Sequence, residues 1–485
     1  MKPNPPLDGD HEASHLPRYA QIARRYASAI QTGTLAPGER FPSVRQLAAA
    51  ERASVATVVQ ALAELEALGL VQAKPRSGHF VRHRQRPPTP RPECPDASAD
   101  ATHVTVSALV RMVYRASEDP RVVQLAAATP HPALLPTAAL ARAVSTASRR
   151  PPDAGASYQM PPGSPELRHL IARRALSWGC ELSADDLVIT SGACEAVYLC
   201  LLAVARPGDV VAVESPAYYG TLQVIEALGL RVLEVPCHPD AGIDVDELAR
   251  RLERHRVAAV LAVPSFSNPL GSCMPDAAKE RLVRLLSERR IPLVEDDVYG
   301  ELAFGPIRPK PAKAFDTDGT VMLCSSFSKT IAPGYRIGFV APGRWRQETE
   351  RLKFATSIAT PTLMQRAIAR FLGAGGYDRH LRTLRERIAG IEARTASVIA
   401  ESFPEGTRVS SPKGGCFLWI ELPGGVDAMA LHARALDAGV SVAPGPIFSP
   451  SGGHRNCIRI SCGTPWSPEI EGAIRLVGRL ASRMM

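Results

Sequence analysis

A lysine set among small hydroxyl side chains is the part of this sequence that most directly indicates chemistry. Lys329 lies between Ser328 and Thr330, with Ser326 shortly before it and Arg336 seven positions after it. A lysine that can lose its proton captures an aldehyde, and hydroxyls beside a planar arginine fork satisfy a phosphate dianion. Alone, Lys329 would be a solvated surface charge. With these neighbours it predicts a site that holds pyridoxal phosphate.

A second segment is suited to the same phosphate. Ser191, Gly192 and Ala193 follow an apolar run and open the helical stretch 195–205. Backbone amides at the positive end of a helix bind anions, so this turn can complete a phosphate cup. By itself a Ser-Gly pair is a common turn between a strand and a helix.

Polar residues at two further strand ends are suited to the cofactor ring. Asp296 is chosen as the carboxylate that keeps the pyridine nitrogen protonated, and Tyr299, three residues on, can donate to the ring hydroxyl. Asn268 is the second donor to that hydroxyl. Ligands gather at such strand ends in open α/β sheets. The alternatives are that Asp296 and its acidic neighbours only solvate a strand end, and that Asn268 only forms a turn.

Two more side chains complete the expected pocket. Tyr218 can stack on the pyridine ring, although packing in the core would also account for it. Arg459 is a charge inside the apolar strand pattern 457–461, where burying it unpaired would be costly. We expect it to bind a ligand carboxylate, with an internal ion pair as the alternative. No metal site is predicted.

The elements that must position these residues follow from apolar runs without strict alternation, separated by amphipathic segments. The runs are 187–190, 210–214, 257–263, 291–295, 321–325 and 337–341, and the segments include 244–255 and 277–289. Strands buried on both faces have such runs, so the pattern predicts βαβ units and a mostly parallel sheet. Helices are expected at 346–357, 363–372 and 377–402. A smaller α/β unit closes the chain, with strands at 416–421 and 457–461 and helices at 428–438 and 468–483.

The amino-terminal region has a different pattern. A helix near 19–32 places Ile22 and Ile30 on one stripe, a second short helix opens at Ser43 with Gln46 completing a capping box, and a third runs from Ser54. Two β-prone runs around a basic turn follow at 70–81, which predicts a wing. Helix, helix, recognition helix and wing form a DNA-binding arrangement. The predicted DNA contacts are Ser43, Arg45, Ser54, Thr57, Gln60, Lys74, Arg76 and Ser77. A dimerisation or regulatory appendage is the alternative.

Composition and charge agree with this division. The chain has 485 residues, of which 45% are hydrophobic and 22% charged, so two or three folding units are expected. Its formal charge is +9, and residues 1–90 hold 12 Lys+Arg against 7 Asp+Glu, which suits a polyanion partner but equally a solvated basic surface. The ten cysteines form no CxxC pair, which predicts reduced thiols and a cytoplasmic location. The longest apolar run, 196–205, is about half of the ~20 residues that cross a bilayer.

Residues 17–83 resemble the GntR family of transcriptional regulators. The resemblance is carried by the strings PGERFPSVRQLA at 37–48, TVVQAL at 57–62 and SGHFV at 77–81. It implies a winged helix-turn-helix that binds double-stranded DNA. Many members follow the capping serine with arginine, whereas here Val55 follows Ser54, so one phosphate contact is expected to be missing and affinity to be lower.

Most of residues 120–485 resemble the fold-type I aminotransferases. The resemblance is carried by five ordered motifs, at 191–193, 268–271, 296–299, 326–336 and Arg459. It implies a fold-type I main domain with a small carboxy-terminal α/β subdomain, pyridoxal 5'-phosphate as cofactor, and a homodimer in which Tyr158 reaches the phosphate of the partner subunit. Two departures, Cys194 and Ala128, stand where polar residues and a substrate-contacting glycine are common, so turnover is expected to be reduced or absent.

The two resemblances together match the layout of the MocR-type subfamily. The expected domains are a winged helix-turn-helix at 15–83, a Pro-rich linker at 84–104 and an aminotransferase-like domain at 105–485, whose large part is about 130–345 and small part about 375–485. The resemblance implies a transcription factor that senses pyridoxal phosphate, an amino acid or an amine. An active aminotransferase with an accessory DNA-binding domain is the main alternative, and a DNA-binding dimer that has lost its cofactor is another.

Overall fold

The computed structural model describes residues 17–31, 35, 38–67, 70–74, 78–81, 89–94, 97–115, 119–149 and 155–485, without the side chains of Gln31, Ala67 and Lys74. The chain divides into two compact units, and the division falls between Pro88 and Thr89. Among the described residues, no helix is both long and apolar enough to span a bilayer.

The smaller unit is a three-helix bundle with a two-stranded wing. Its elements are α1 (Arg18–Gln31), α2 (Val44–Ala50), α3 (Val55–Ala67), β1 (Val71–Lys74) and β2 (Gly78–Val81), and the two strands pair antiparallel. The helices meet through apolar stripes at helical spacing, and Leu47, Val58 and Leu65 are almost fully buried where the stripes converge. The predicted winged helix-turn-helix is confirmed.

Helix starts in this unit follow from their capping residues. The Ser43 hydroxyl accepts from the Gln46 amide at 3.4 Å, and the Gln46 side chain accepts from the Ser43 amide at 2.9 Å, which is the predicted capping box. At α3 the Ser54 hydroxyl accepts from the Thr57 amide at 3.1 Å. Both caps satisfy amides that have no partner within the helix, and they fix where α2 and α3 begin.

The larger unit contains the remaining strands and helices. In chain order the strands are β3 (Thr102–His103), β4 (Val123–Gln124), β5 (Val188–Thr190), β6 (Val210–Ser215), β7 (Arg231–His238), β8 (Gly242–Ile243), β9 (Ala259–Ala262), β10 (Leu293–Asp296), β11 (Val321–Ser326), β12 (Gly338–Ala341), β13 (Arg408–Val409), β14 (Phe417–Glu421), β15 (Val440–Ser441), β16 (Ala443–Pro444) and β17 (Cys457–Ser461). The helices are α4 (Ser107–Arg115), α5 (Thr137–Ser148), α6 (Pro165–Ala175), α7 (Ala193–Val204), α8 (Tyr219–Ala227), α9 (Val245–Arg254), α10 (Asp276–Glu288), α11 (Arg346–Ser357), α12 (Thr362–Gly373), α13 (Tyr377–Ser402), α14 (Ala428–Asp437) and α15 (Pro468–Ser482).

A large sheet forms the centre of this unit, in the order β3-β7-β6-β9-β10-β11-β12-β5, with β8 paired to β7. The pairs from β7 through β11 are parallel, while β12 is antiparallel to both of its neighbours. All six predicted strands are present, and the mostly parallel sheet is confirmed. The strand β7 lay in none of the predicted runs, because Glu234 and Pro236 interrupt its apolar pattern.

A second sheet, in the order β13-β14-β17-β16, forms the smaller part of this unit together with α13, α14 and α15. We call this part the small subdomain and the part around the large sheet the large subdomain. The strand β4 pairs with β15, so the chain just after α4 contributes to the small subdomain as well. The predicted strands and helices of the small α/β unit are confirmed to within two residues.

Residues 89–94 and 97–104, here called the strap, belong to the larger unit and contact both of its subdomains. The Val409 amide donates to the Pro90 carbonyl at 2.9 Å, and Thr102 in β3 pairs with Val232 in β7. The predicted linker at 84–104 stays a prediction, and the described residues from 89 to 104 make these contacts with the larger unit. A proline-rich segment has no core of its own, but its backbone carbonyls and amides find partners on a neighbouring surface. Residues 84–88 lie outside the described part.

Candidate functional site

The candidate residues meet at the carboxyl ends of the parallel strands. Ser191 follows β5, Tyr218 follows β6, Asn268 follows β9, Asp296 ends β10 and Ser326 ends β11. Since adjacent parallel strands end at the same edge of a sheet, this topology gathers residues that are far apart in sequence into one site.

One part of the site is a cup lined by hydroxyls, a guanidinium and a helix amino-terminus. The Arg336 guanidinium donates to Ser328 Oγ at 3.4 Å and to the Ser191 carbonyl at 2.9 Å, and the Ser328 amide donates to Ser326 Oγ at 3.3 Å. Gly192, which caps α7, has a φ of 90°, and a Cβ there would lie 2.4 Å from Arg336 Nη2. Only glycine allows the turn to approach the arginine this closely.

Lys329 directly follows Ser328 of this cup, and its side chain is only partly exposed. Its Nζ donates to the Ala128 carbonyl at 2.8 Å and lies 5.6 Å from the centre of the Tyr299 ring. Burial lowers the pKa of Lys329 from its ordinary value, which favours the neutral amine that reacts with aldehydes. The surface-charge interpretation is therefore wrong for this lysine.

Asp296 is the carboxylate at the end of β10. It is almost fully buried, and burial together with the charge of Asp297 raises its pKa to about 7. Its Oδ1 has no hydrogen-bond partner among the described residues. A buried carboxylate oxygen without a donor is costly unless a ligand supplies one, which argues against simple solvation of a strand end.

Arg459 and Asn268 form a polar chain that reaches the same space. Arg459 is fully buried in β17 and donates to Asn268 Oδ1 at 2.7 Å and to the Ala126 carbonyl, while Asn268 Nδ2 donates to the Tyr299 hydroxyl at 3.3 Å. No described carboxylate pairs with Arg459, and its Nε has no partner among the described residues. The internal ion pair considered from sequence is therefore absent from the described part, and an anion can still bind.

Aromatic side chains close the site around Arg459. Its guanidinium carbon lies 5.0 Å from the Phe448 ring centre and 5.9 Å from that of Tyr219, and the ring centres of Tyr218 and Tyr219 are 4.5 Å apart. Gly220 lies against Tyr218, where a Cβ would meet the ring at 2.5 Å. Tyr218 is only partly buried, so one part of its ring is not covered by the core.

A cluster of charged side chains, which was not predicted from the sequence, contacts the cup at Ser191. The Glu195 carboxylate accepts from the Ser191 amide at 2.5 Å, from Lys353 Nζ at 2.8 Å and from Ser357 Oγ at 2.6 Å. Although burial alone would raise it, these donors hold the pKa of Glu195 below its ordinary value. Lys353 is fully buried in α11, so this contact fixes the amino-terminus of α7 against another helix. The 158 positions between partners left no local sequence signal.

These groups fit pyridoxal phosphate. The cup offers an arginine, hydroxyls and helix amides to a phosphate, and the free Oδ1 of Asp296 suits a protonated ring nitrogen. Lys329 directly follows the cup residue Ser328 and supplies the amine. The free Nε of Arg459 suits the carboxylate of a second ligand.

Tyr158 is placed differently from the other candidates. Its side chain is 71% exposed, and the neighbouring Ser157 and Gln159 are tied to Thr362 at the start of α12. The structure of one chain does not bring Tyr158 into the cup. Its predicted contact with a partner subunit stays a prediction.

Five of the predicted DNA contacts lie on the surface of the smaller unit. Ser43, Arg45, Ser54 and Gln60 are exposed, and Thr57 is partly exposed. Arg76, Ser77 and the side chain of Lys74 lie outside the described residues. Two apolar side chains that we did not predict, Val55 and Val59, are 56% and 51% exposed on α3. Their spacing of four places them on one face of that helix.

Two family models match the chain. The model described as bacterial regulatory proteins, gntR family, matches residues 18–81. The model described as aminotransferase class I and II matches residues 125–474. The matches coincide with the smaller unit and with most of the larger one.

Individual relatives agree with this division. The uncharacterized HTH-type transcriptional regulator YjiR of Escherichia coli strain K12 is 39% identical over 97% of this chain and 100% of its own length. The 2-aminoadipate transaminase of Thermus thermophilus is 32% identical over 76% of this chain and 92% of its own. Among solved structures, LysN, an α-aminoadipate aminotransferase from Thermus thermophilus complexed with N-(5'-phosphopyridoxyl)-L-leucine, has a TM-score of 0.72 at 29% identity, covering 77% of this chain and 94% of that one.

Proposed function

Because this chain belongs to the GntR-family transcriptional regulators that carry an aminotransferase class I and II domain, we propose that it binds DNA and senses an amino compound through bound pyridoxal phosphate. The single observation that carries this proposal is that one chain holds both a recognition helix with an exposed face and a partly buried lysine beside a cup suited to phosphate.

The residues of the larger unit have separate roles toward the cofactor. Ser326, Ser328 and Arg336, with the amides of Gly192 and Ala193, hold its phosphate. Asp296 holds the ring nitrogen, Tyr299 and Asn268 donate to the ring hydroxyl, and Tyr218 stacks on the ring. When bound, pyridoxal phosphate supplies an aldehyde that reacts with amines and a ring that withdraws electrons. Lys329 is the amine of this chain that holds it.

The effector is an amine that also carries a carboxylate. Arg459 is fully buried, has a free Nε, and is surrounded by aromatic rings that exclude water. A guanidinium in such surroundings favours an anion strongly, because few competing water molecules remain. We therefore assign the effector carboxylate to Arg459, and an amino acid is the simplest compound that satisfies both groups.

DNA is read by α3. Phosphates are contacted by Arg45 and by the hydroxyls of Ser43 and Ser54 at the helix starts, while Gln60 and Thr57 reach base edges. Val55 and Val59 add an exposed apolar face suited to thymine methyl groups. The wing, with Lys74, Arg76 and Ser77, contributes further phosphate contacts.

The active form is a homodimer. Large apolar side chains exposed on the larger unit include Tyr158, Met160, Phe354 and Ile358. Tyr158 and Ile358 belong to neighbouring segments, since residues 157 and 159 bond to Thr362. Exposed apolar residues grouped in this way favour a protein partner, and a second copy of the chain would bring Tyr158 to the other phosphate cup.

The test combines cofactor binding with DNA binding. The purified chain should take up pyridoxal phosphate with a new absorbance band near the visible edge, and Lys329→Ala should not. Binding to DNA from its own promoter region should then change when an amino acid panel is added to the loaded wild type. Unchanged DNA affinity across the panel would refute the sensing role. Rapid turnover of amino donors with 2-oxo acids, by a protein that ignores its promoter region, would favour an aminotransferase instead.

A further inference from the structure

The strap is fastened to the small subdomain at its first end. The Pro90 carbonyl accepts from the Val409 amide at 2.9 Å, the Glu93 amide donates to Glu421 Oε2 at 2.9 Å, and the Glu93 carboxylate pairs with Arg408. Val409 and Arg408 form β13, and Glu421 ends β14. This end of the strap is therefore bound to the small sheet, while Arg91 and Cys94 beside it contact Asp240 and the Cys237 carbonyl of the large subdomain.

The rest of the strap is fastened to the large subdomain. Arg251 of α9 donates to the carbonyls of Ala97 and Ser98 at 3.1 and 2.5 Å, and Arg231 of β7 donates to the Ala101 carbonyl at 2.8 Å. Arg251 is itself held by Glu247 at 2.7 Å. All three contacts are made to backbone carbonyls, so they fix the path of the strap.

The small-sheet anchor is connected to the ligand site through strand pairing. Arg459 in β17 lies opposite Trp419 in β14, and β14 ends at Glu421, which pairs with Arg408 in β13. Three adjacent strands thus join the proposed carboxylate site to the first anchor of the strap. A paired sheet moves as one body, so a displacement of Arg459 is passed on to Glu421 and Arg408.

The large-subdomain anchor also has a connection to the ligand site. The backbone carbonyl of Glu234 accepts from Arg251, and its side chain accepts from Ser215 at 2.8 Å and from Ser449 at 3.2 Å. Ser215 precedes the turn that carries Tyr218. The second anchor is therefore connected, through Glu234 and Ser215, to the turn of the large subdomain that carries Tyr218.

We infer that the strap reports occupancy of the carboxylate site to the DNA-binding unit. This rests on the function proposed above and specifies its regulation. A segment tied to both subdomains keeps all of its contacts in one relative arrangement of those subdomains. A ligand that bridges Arg459 in the small subdomain and the cofactor in the large one favours one arrangement, and the strap contacts shift with it. In sequence, the strap leads directly back to the DNA-binding unit.

Hydrogen–deuterium exchange on the full chain tests this inference. The probes are pyridoxal phosphate, which lacks a carboxylate for Arg459, and N-(5'-phosphopyridoxyl)-L-leucine, which has one. Both should bind with a change in absorbance. The leucine adduct should change exchange of strap amides in residues 89–104 by about threefold or more, a change that corresponds to one or two hydrogen bonds, and pyridoxal phosphate by less.

Variants then separate the strap from the ligand site. Arg408→Gln removes the ion pair of the small-sheet anchor and leaves the hydrogen bonds of the Pro90 carbonyl and the Glu93 amide. Arg475→Gln is its control, because Arg475 has a similar side-chain exposure, 35% against 32%, and pairs with Glu471 and Glu401 away from the strap. Arg408→Gln should bind the adduct with wild-type affinity but show a smaller strap response and a smaller change in promoter binding than the wild type. Arg475→Gln should keep both.

Three results would overturn the inference. If the adduct binds and strap exchange in the wild type does not change, the strap does not report occupancy, although the sensing role survives. If Arg408→Gln responds as Arg475→Gln does, the Arg408–Glu93 ion pair does not carry the signal, and the inferred route through the small sheet is wrong. If the adduct does not bind at all, the proposed function fails and the inference fails with it.

Discussion

Replacing Asp296 by asparagine should stabilise the cofactor-free protein and weaken its hold on the cofactor. Burial, with the nearby charge of Asp297, raises the pKa of Asp296 from its ordinary value of 3.8 to about 7. A carboxyl whose pKa is raised by folding favours the folded state below its unfolded pKa, and this contribution is lost as pH rises toward the folded value. The free energy of unfolding therefore falls as the pH rises from about 4 to 7.

The magnitude follows from the size of that window. Each unit of pH between the two pKa values lowers the free energy of unfolding by about 1.4 kcal/mol. From pH 5 to pH 8 the wild type should therefore lose about 3 kcal/mol of stability, and Asp296→Asn should not show this decrease. The comparison between two pH values cancels any fixed effect of the asparagine amide. With saturating pyridoxal phosphate the order should reverse, because ligand binding stabilises the wild type and the variant lacks the negative partner for the ring nitrogen.

Urea unfolding followed by tryptophan fluorescence is the suitable assay. All four tryptophans lie in the larger unit, so the signal reports that unit and not the DNA-binding one. Glu280→Gln, at an exposed carboxylate of α10, is the control and should follow the wild-type profile. If cofactor-free wild type and Asp296→Asn have parallel stability profiles from pH 5 to pH 8, Asp296 does not titrate as its burial requires, and the reasoning is wrong.

Three further outcomes are expected. Lys353→Met should leave the largely buried Glu195 without its cation, lower the free energy of unfolding by about 3 kcal/mol and weaken cofactor retention. Adding Glu195→Gln should restore most of the stability. Equal urea midpoints for the wild type and Lys353→Met would contradict this. Arg45→Gln should weaken promoter binding at all salt concentrations and lower the slope of log affinity against log salt by about one, and an unchanged slope would remove Arg45 from the phosphate contacts. Burial raises the pKa of Glu392 to about 8, so ionisation of Glu392 should lower the free energy of unfolding of the wild type by about 4 kcal/mol between pH 5 and pH 8. Glu392→Gln should lack this decrease, as measured by urea titration at both pH values.

The strands were predictable because burial on both faces leaves a signal within each run. The segments that form β6, β10 and β11 are continuous apolar stretches bounded by polar residues. The polar residues at their carboxyl ends lie in the candidate site. Arg459 could be identified for a related reason, since a charge inside an apolar strand requires a partner. The capping box at Ser43 was equally local, because both of its hydrogen bonds join residues three apart.

Contacts between distant residues could not be read in the same way. Lys353 and Glu195 are 158 positions apart, and each by itself looks like a surface charge on a helix. The composition of the strap predicts a linker. One of the residues that hold it, Arg251, lies 153 and 154 positions later in the chain than its two partners, and no property of the strap itself identifies Arg251.

The way in which Arg251 grips the strap has a consequence for redesign. A guanidinium that donates to main-chain oxygens is indifferent to the side chains attached to them, so Ala97 and Ser98 should tolerate exchange of amino-acid type while the strap keeps its path there. A change of length has a different effect. An inserted or deleted residue between Pro90 and Ala97 would displace one anchor relative to the other, and should be far more disruptive than a substitution of Ala97 or Ser98.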